Sequence, residues 1–349
     1  MKTQVSLVQG ASRASNLRSA LEQVAGNLDF ARAQRILIKP NLVSPDRQLA
    51  NTHPDAMRVL LEFIRRSYAG AIDIAEGTAI CDAMGSFERF RYVPLAREFD
   101  ARLVDLNASE AVSVTGYNLF RRPINLRLAR PVVESDFRIS IGPPKTHNTV
   151  LVSLSIKNMV MGSLVNPAVS SSAPGQGTGY RQLLSMVVPG SLRSDKLLMH
   201  QGWAWTNLNI AILAPQVMPH LSVIDGFEAM EGAGPTQGTP LEWRVALAGT
   251  DAVAVDWLTA GLMGFDPEQI GYLHYCRLLG LGVTDLEDLE VVGNAKPEEV
   301  RRNFQPSPSA GRQARWRLRG AEKLLERQGL KINKIASAPE KSPASRNDR

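Results

Sequence analysis

The chain has 349 residues, 44% hydrophobic and 21% charged, which is enough apolar material for a large core and excludes a disordered polymer. Residues 301–349 hold 13 Lys/Arg against 4 Asp/Glu, leaving 27 basic and 30 acidic residues in positions 1–300. The formal charge of +6 is therefore a property of the C-terminal part and is no sign of nucleic-acid binding by the body.

The N-terminus runs straight into Val5-Ser6-Leu7-Val8 with no basic and apolar leader before it. No apolar run reaches the roughly 18–20 residues of a membrane span. Both predict a cytoplasmic chain. Short β-branched runs at 35–38, 71–75, 101–104, 137–141, 221–224 and 244–248 read as strands. Segments 54–67, 86–100 and 251–263 read as helices, the first with Met57, Leu60, Leu61 and Ile64 on one stripe. The alternation predicts an α/β fold: a mostly parallel sheet with helices on both faces, Rossmann-like and three-layered, in one body or two packed lobes. Residues 162–179 are rich in Gly, Ser and Pro and read as a long binding loop or a surface insertion. The α/β body is assigned to residues 1–300. Residues 301–349 form a basic C-terminal part, expected to hold a helix over 312–328 and a disordered tail beyond Lys334.

The chemistry is expected where strands end. Segment 35–38 is followed by Lys39-Pro40-Asn41, 71–75 by Glu76-Gly77, 137–141 by Gly142-Pro143-Pro144-Lys145-Thr146-His147, and 221–224 by Asp225-Gly226. In a parallel sheet these ends share one edge, and ligands of open α/β sheets bind in the crevice outside it. Lys39, Asn41, Glu76, Lys145, His147 and Asp225 are thus candidates for one site. Lys157 lies in a nearly continuous apolar stretch, Leu151–Met161, and Asp256 in another. A buried charge needs a partner or a shifted pKa. Either the two pair with each other or Lys157 faces an anionic ligand. Asp251 is expected to cap its helix.

Standard nucleotide loops and a Gly-x-Ser-x-Gly elbow are absent, and no His-Glu-x-x-His or Cys-x-x-Cys spacing exists. A divalent metal on Asp225 and Glu231 is the metal reading the residues allow. Two cysteines, Cys81 and Cys276, exclude a disulfide framework and a Cys-only cluster within one chain. Cys81 reads as a buried inert thiol rather than a nucleophile.

Four stretches carry a family resemblance. Ile36-Leu37-Ile38-Lys39-Pro40-Asn41-Leu42-Val43 with Thr52-His53-Pro54 resembles the opening motif of the domain of unknown function 362 family. Lys145-Thr146-His147 with Ser153-Leu154-Ser155-Ile156-Lys157-Asn158 resembles its central motif. Asp225-Gly226 with Met230-Glu231-Gly232-Ala233-Gly234-Pro235 resembles its third, and Ala248-Gly249-Thr250-Asp251 through Asp256 its last. Some relatives in that family are iron–sulfur proteins with a Cys-rich segment. This chain lacks that segment, so the resemblance implies no cluster here.

The reading that follows is an enzyme, of undefined reaction class, acting on a small phosphate- or carboxylate-bearing ligand. Lys39, Asn41, Glu76, Lys145, Lys157, Asn158, Gly232 and Gly234 would bind it, with His147 and Asp225 as acid/base groups. The alternative is a non-catalytic ligand-binding or redox-partner scaffold. A further expectation is contact with RNA or an anionic membrane through the basic tail, where Trp316, Leu318, Leu324 and Leu325 stand among arginines.

Overall fold

The computed structural model describes residues 2–169 and 194–333. Its strands in chain order are β1 Thr3–Gln9, β2 Arg35–Lys39, β3 Ala71–Glu76, β4 Ala101–Asp105, β5 Ala111–Tyr117, β6 Pro123–Ala129, β7 Phe137–Gly142, β8 Lys145–His147, β9 Leu151–Ser153, β10 Leu221–Glu231, β11 Thr239–Gly249 and β12 Leu289–Val292. The main sheet runs β12-β1-β11-β10-β7-β2-β3-β4, with the short pair β8–β9 attached at the far end of β10. Strands β10, β7, β2, β3 and β4 are mutually parallel, while β11 is antiparallel to both its neighbours. The α/β class with a mostly parallel sheet is therefore the observed one.

Strand alternation sends successive side chains to opposite faces and so builds two cores. Ile36 and Ile38 of β2, Ile139 and Ile141 of β7 and Val223 of β10 pack with helices Arg13–Val24 and Pro54–Arg65. Leu37 and Ile224 face the other way, toward helices Ser155–Ser163, Trp203–Val217 and Ala252–Leu262. Each such residue, fully buried, contributes about 1.5–3 kcal/mol relative to exposure. Three layers result. The hairpin β5–β6 does not form a second lobe. Asn209 exchanges two 2.8 Å hydrogen bonds with the backbone of Tyr117, and Val114, Leu126 and Leu128 join the same core.

Several elements depart from the sequence expectation. The helix expected over 86–100 is two helices, Ala83–Arg89 and Tyr92–Glu98, broken where Arg91 takes a left-handed conformation (φ 62°). The helix expected over 312–328 is likewise split into Ala310–Gln313 and Ala321–Arg327, with Gly320 at φ 77° between them. Trp316, Leu324 and Leu325 are buried in the core, so the apolar face proposed for RNA or membrane contact is occupied by the protein itself. Of the expected 162–179 loop, Gly162 and Ser163 still belong to a helix and Pro167–Val169 is a 3-10 turn. Residues 170–179, and the tail beyond Lys334 expected to be disordered, lie outside the described residues.

Candidate functional site

Strands β2 and β3 end side by side, and their last residues are the first contacts of the site. Lys39 closes β2 and Glu76 closes β3; Lys39 Nζ lies 2.5 Å from Glu76 Oε1. The same ammonium donates to Pro40 O at 2.6 Å and to Asn158 Oδ1 at 3.3 Å. Glu76 also accepts the N–H groups of Leu42 (2.7 Å) and Gly77 (2.8 Å). Burial lowers the Lys39 pKa and the Glu76 carboxylate opposes that. Asn41 donates to Asn158 Oδ1 at 2.9 Å and accepts from Lys145 Nζ, which also donates to Ala50 O at 2.6 Å. Asn158 in turn donates to Ser140 Oγ on β7 at 3.0 Å. Six of the sequence-predicted residues, Lys39, Asn41, Glu76, Lys145, Lys157 and Asn158, therefore meet at this edge, together with His147.

All of these except Lys145 border a cavity of about 420 Å³. Lys157 projects into it from the helix Ser155–Ser163. It is 9% exposed and has no hydrogen bond or ion pair among the described residues. Burial first, then the Lys39 charge, lowers its pKa to about 8. It does not pair with Asp256. That carboxylate instead accepts the Ser155 and Ile156 N–H groups, each at 2.9 Å, and so satisfies the start of the lysine's own helix. Burial pushes Asp256 up to about 7 against those two hydrogen bonds. Asp251 caps the helix Ala252–Leu262, accepting from Ala254 N at 2.9 Å.

Two residues that sequence reasoning missed complete the wall. Lys196 donates to Met161 O (2.7 Å), Gly162 O (3.4 Å) and Leu164 O, the carbonyls at the C-terminal end of the Lys157 helix. Its pKa falls to about 7, from burial and then Lys39. His200 follows four residues later, its Nδ1 2.7 Å from Lys196 O. A carbonyl accepts, so His200 Nδ1 carries the proton and Nε2 is an acceptor. His147 is the opposite case. Its Nδ1 accepts the Thr149 N–H at 3.0 Å, so its proton sits on Nε2. Burial, Lys157 and His200 hold the His147 pKa well below the ordinary histidine value, whereas His200 is exposed where it lines the cavity. The His147 ring is neutral at pH 7. The cavity thus has one imidazole donor and one imidazole acceptor.

Other candidates fall elsewhere. β10 does not stop at Ile224 but continues to Glu231, so Asp225 is mid-strand. Its side chain turns to the opposite face of the sheet, 3.0 Å from Arg13 Nε, and the cavity does not include it. Asp225 is thus held in an ion pair with Arg13, away from the cavity where the sequence expectation had placed it. Glu231 accepts the Gln305 N–H at 2.8 Å. Asp225 and Glu231 are apart, and no group of three His, Cys, Asp or Glu among the described residues is arranged to hold a metal ion. Gly232 and Gly234 bind through backbone, not to the cavity. Gly232 donates to Gln305 O at 2.7 Å, and a Cβ on Gly234 would stand 2.1 Å from Thr146 O. This close approach holds β8, and with it His147, against the segment that places Pro235 and Thr236 in the cavity wall. Burial raises the Cys81 thiol, which is no thiolate at neutral pH.

The chain is 24% identical over 283 residues to a thylakoid-associated protein of Synechocystis sp., covering 80% of this chain and 78% of that one. Among solved structures it resembles the lactate racemase apoprotein of Thermoanaerobacterium thermosaccharolyticum, at 13% identity and a TM-score of 0.41 over 79% of this chain. A Thermotoga maritima protein gives 12% identity and a TM-score of 0.38 over 62%. The chain spans 57% and 51% of the length of those two. No helix among the described residues is long and apolar enough to cross a membrane. Residues 36–261 match the model of the family described as Domain of unknown function (DUF362), and the chain belongs to that family.

Proposed function

We propose that this chain is an enzyme that binds a small phosphate- or carboxylate-bearing anion in the cavity at the ends of β2 and β3. The observation that carries the reading is Lys157, a buried ammonium facing an open volume with no ion pair or hydrogen bond of its own among the described residues, the Glu76 carboxylate in the same wall being held by Lys39. Burying a charge unpaired costs several kcal/mol, and a ligand carboxylate or phosphate would offset that cost. His147 Nε2–H then donates to a ligand oxygen and His200 Nε2 accepts a proton or hydrogen bond, a division of labour that suits proton transfer. A melting screen against inorganic phosphate, sulfate, acetate and longer carboxylates tests the binding. At about 100 times its dissociation constant, a bound anion adds about 2.7 kcal/mol of stability. A melting temperature indifferent to every anion would remove the reading.

A second reading, peripheral attachment to an anionic membrane surface, has its own support. Leu119 and Phe120 at the β5–β6 turn are 51% and 73% exposed and precede Arg121 and Arg122. Apolar tips flanked by cations suit an anionic bilayer, and a relative is named for its thylakoid association. Co-sedimentation with phosphatidylglycerol vesicles is expected to fall severalfold in Phe120→Ser. Equal sedimentation of the variant would discard this surface.

A further inference from the structure

The cationic character of the cavity is smaller than its lysine count suggests. An ammonium has three hydrogens to give. Lys39 gives its three to Glu76, Pro40 O and Asn158. Lys196 gives its three to the carbonyls of Met161, Gly162 and Leu164. Lys145 is committed to Asn41 and Ala50, behind the cavity wall. Only Lys157 keeps its donors for a ligand among the described residues.

The usual phosphate cradle is also occupied. A helix N-terminus offers free N–H groups to an anion. Here the helix carrying Lys157 begins with two N–H groups already bound by Asp256. A phosphate monoester, with up to two charges and three acceptor oxygens, would find only one free ammonium among the described residues of the wall, beside the His147 Nε2–H and neutral donors such as Asn148 and Thr236. Much of the remaining wall is apolar, with Leu42, Val43, Ile80, Met161, Leu197 and Pro235 lining it. An ion the size of acetate would leave most of the 420 Å³ to water, at about 30 Å³ per molecule, against those side chains.

We infer that the ligand of this cavity is a monocarboxylate with an apolar body, its carboxylate on Lys157 and its hydrocarbon on the Leu42–Val43, Ile80 and Met161 walls. The inference rests on the anion-binding reading above and narrows it to one charge and one shape. The carboxylate oxygens accept from Lys157 Nζ and from His147 Nε2. The Lys157 ammonium, which titrates near 8, gains a negative neighbour, so binding weakens as pH rises above that value.

The test compares octanoate, octanol and inorganic phosphate as probes on the full chain, by melting temperature and titration calorimetry below the micellar range. Octanoate is expected to raise the melting temperature, whereas octanol and phosphate leave it unchanged. Lys157→Met is expected to fold and to bind octanoate at least tenfold more weakly. Phosphate stabilising the protein while octanoate does not would overturn the inference and leave the anion reading standing. No response to any probe would remove both. Octanoate binding that is equal in wild type and Lys157→Met would mean apolar adsorption, and the inference would fall.

Discussion

Replacing Lys157 by methionine is expected to make the unliganded protein more stable. Methionine keeps the length and most of the volume of the lysine stem and carries no charge to desolvate. In the folded chain Lys157 titrates at about 8, against about 10.4 for an unfolded lysine. Between these values the unfolded chain holds a proton that the folded chain has lost, so this group makes stability rise with pH across that window. Below pH 8 the full cost applies, about 3 kcal/mol at most. Urea unfolding of both proteins should therefore show the variant ahead by about 1–3 kcal/mol at pH 7. The lead should shrink toward zero near pH 10.5. A variant less stable than wild type at pH 7 would mean that Lys157 has a structural partner.

Asp256→Ala is expected to act in the opposite direction and to be among the most damaging single substitutions in the core. Its carboxylate is the acceptor for the Ser155 and Ile156 N–H groups, and both lie buried. Truncation leaves two donors without partners, at about 1–3 kcal/mol each, and a small void besides. Below about pH 4, where the carboxyl is neutral in both states, a loss of about 3–5 kcal/mol is expected, a large part of the 5–15 kcal/mol that typical domains possess. The amide introduced by Asp256→Asn would restore one acceptor and set an NH2 against the other N–H, so that variant should fall between. The wild-type carboxyl titrates at about 7, above the roughly 3.9 of an unfolded aspartate. Between those values the folded chain keeps a proton that the unfolded chain has released. This group's stabilisation is thus complete below about pH 4 and is lost as pH rises through 7. That slope should vanish in Asp256→Ala. A cost under about 1 kcal/mol would show that water replaces the carboxylate.

Much of this site was legible because a parallel sheet delivers its strand ends to one edge. The runs Arg35-Ile36-Leu37-Ile38 and Ala71-Ile72-Asp73-Ile74-Ala75 announce strands, and the polar residue that follows each is therefore at the edge. The same logic failed for Asp225. The apolar run ends at Ile224, but the strand does not; it continues through a bulge between Gly226 and Glu228 to Glu231. A mid-strand side chain obeys alternation, and alternation places Asp225 with Val223 on the Arg13 face. Lys196 and His200 carried no such signal. The helix Asp195–Met199, which carries Lys196 and ends at His200, is five residues long and marked only by the Ser194 cap, and the partners of both side chains are backbone carbonyls. Backbone acceptors leave no trace in sequence. The pairing left open between Lys157 and Asp256 was undecidable for the same reason, because the partners of Asp256 are main-chain N–H groups. The β5–β6 hairpin could have been read from Val112, Val114, Leu126 and Leu128, which alternate with polar neighbours on both sides of the Asn118 turn.

The most direct test of the account is the titration of Lys157 itself, followed by NMR on protein with isotopically labelled lysine and assigned by the signal missing from Lys157→Met. The account predicts a midpoint near 8 in the free protein, moving upward when octanoate is added, because a bound negative charge favours the ammonium. A midpoint near the ordinary value of about 10.4, unmoved by any anion, would contradict it.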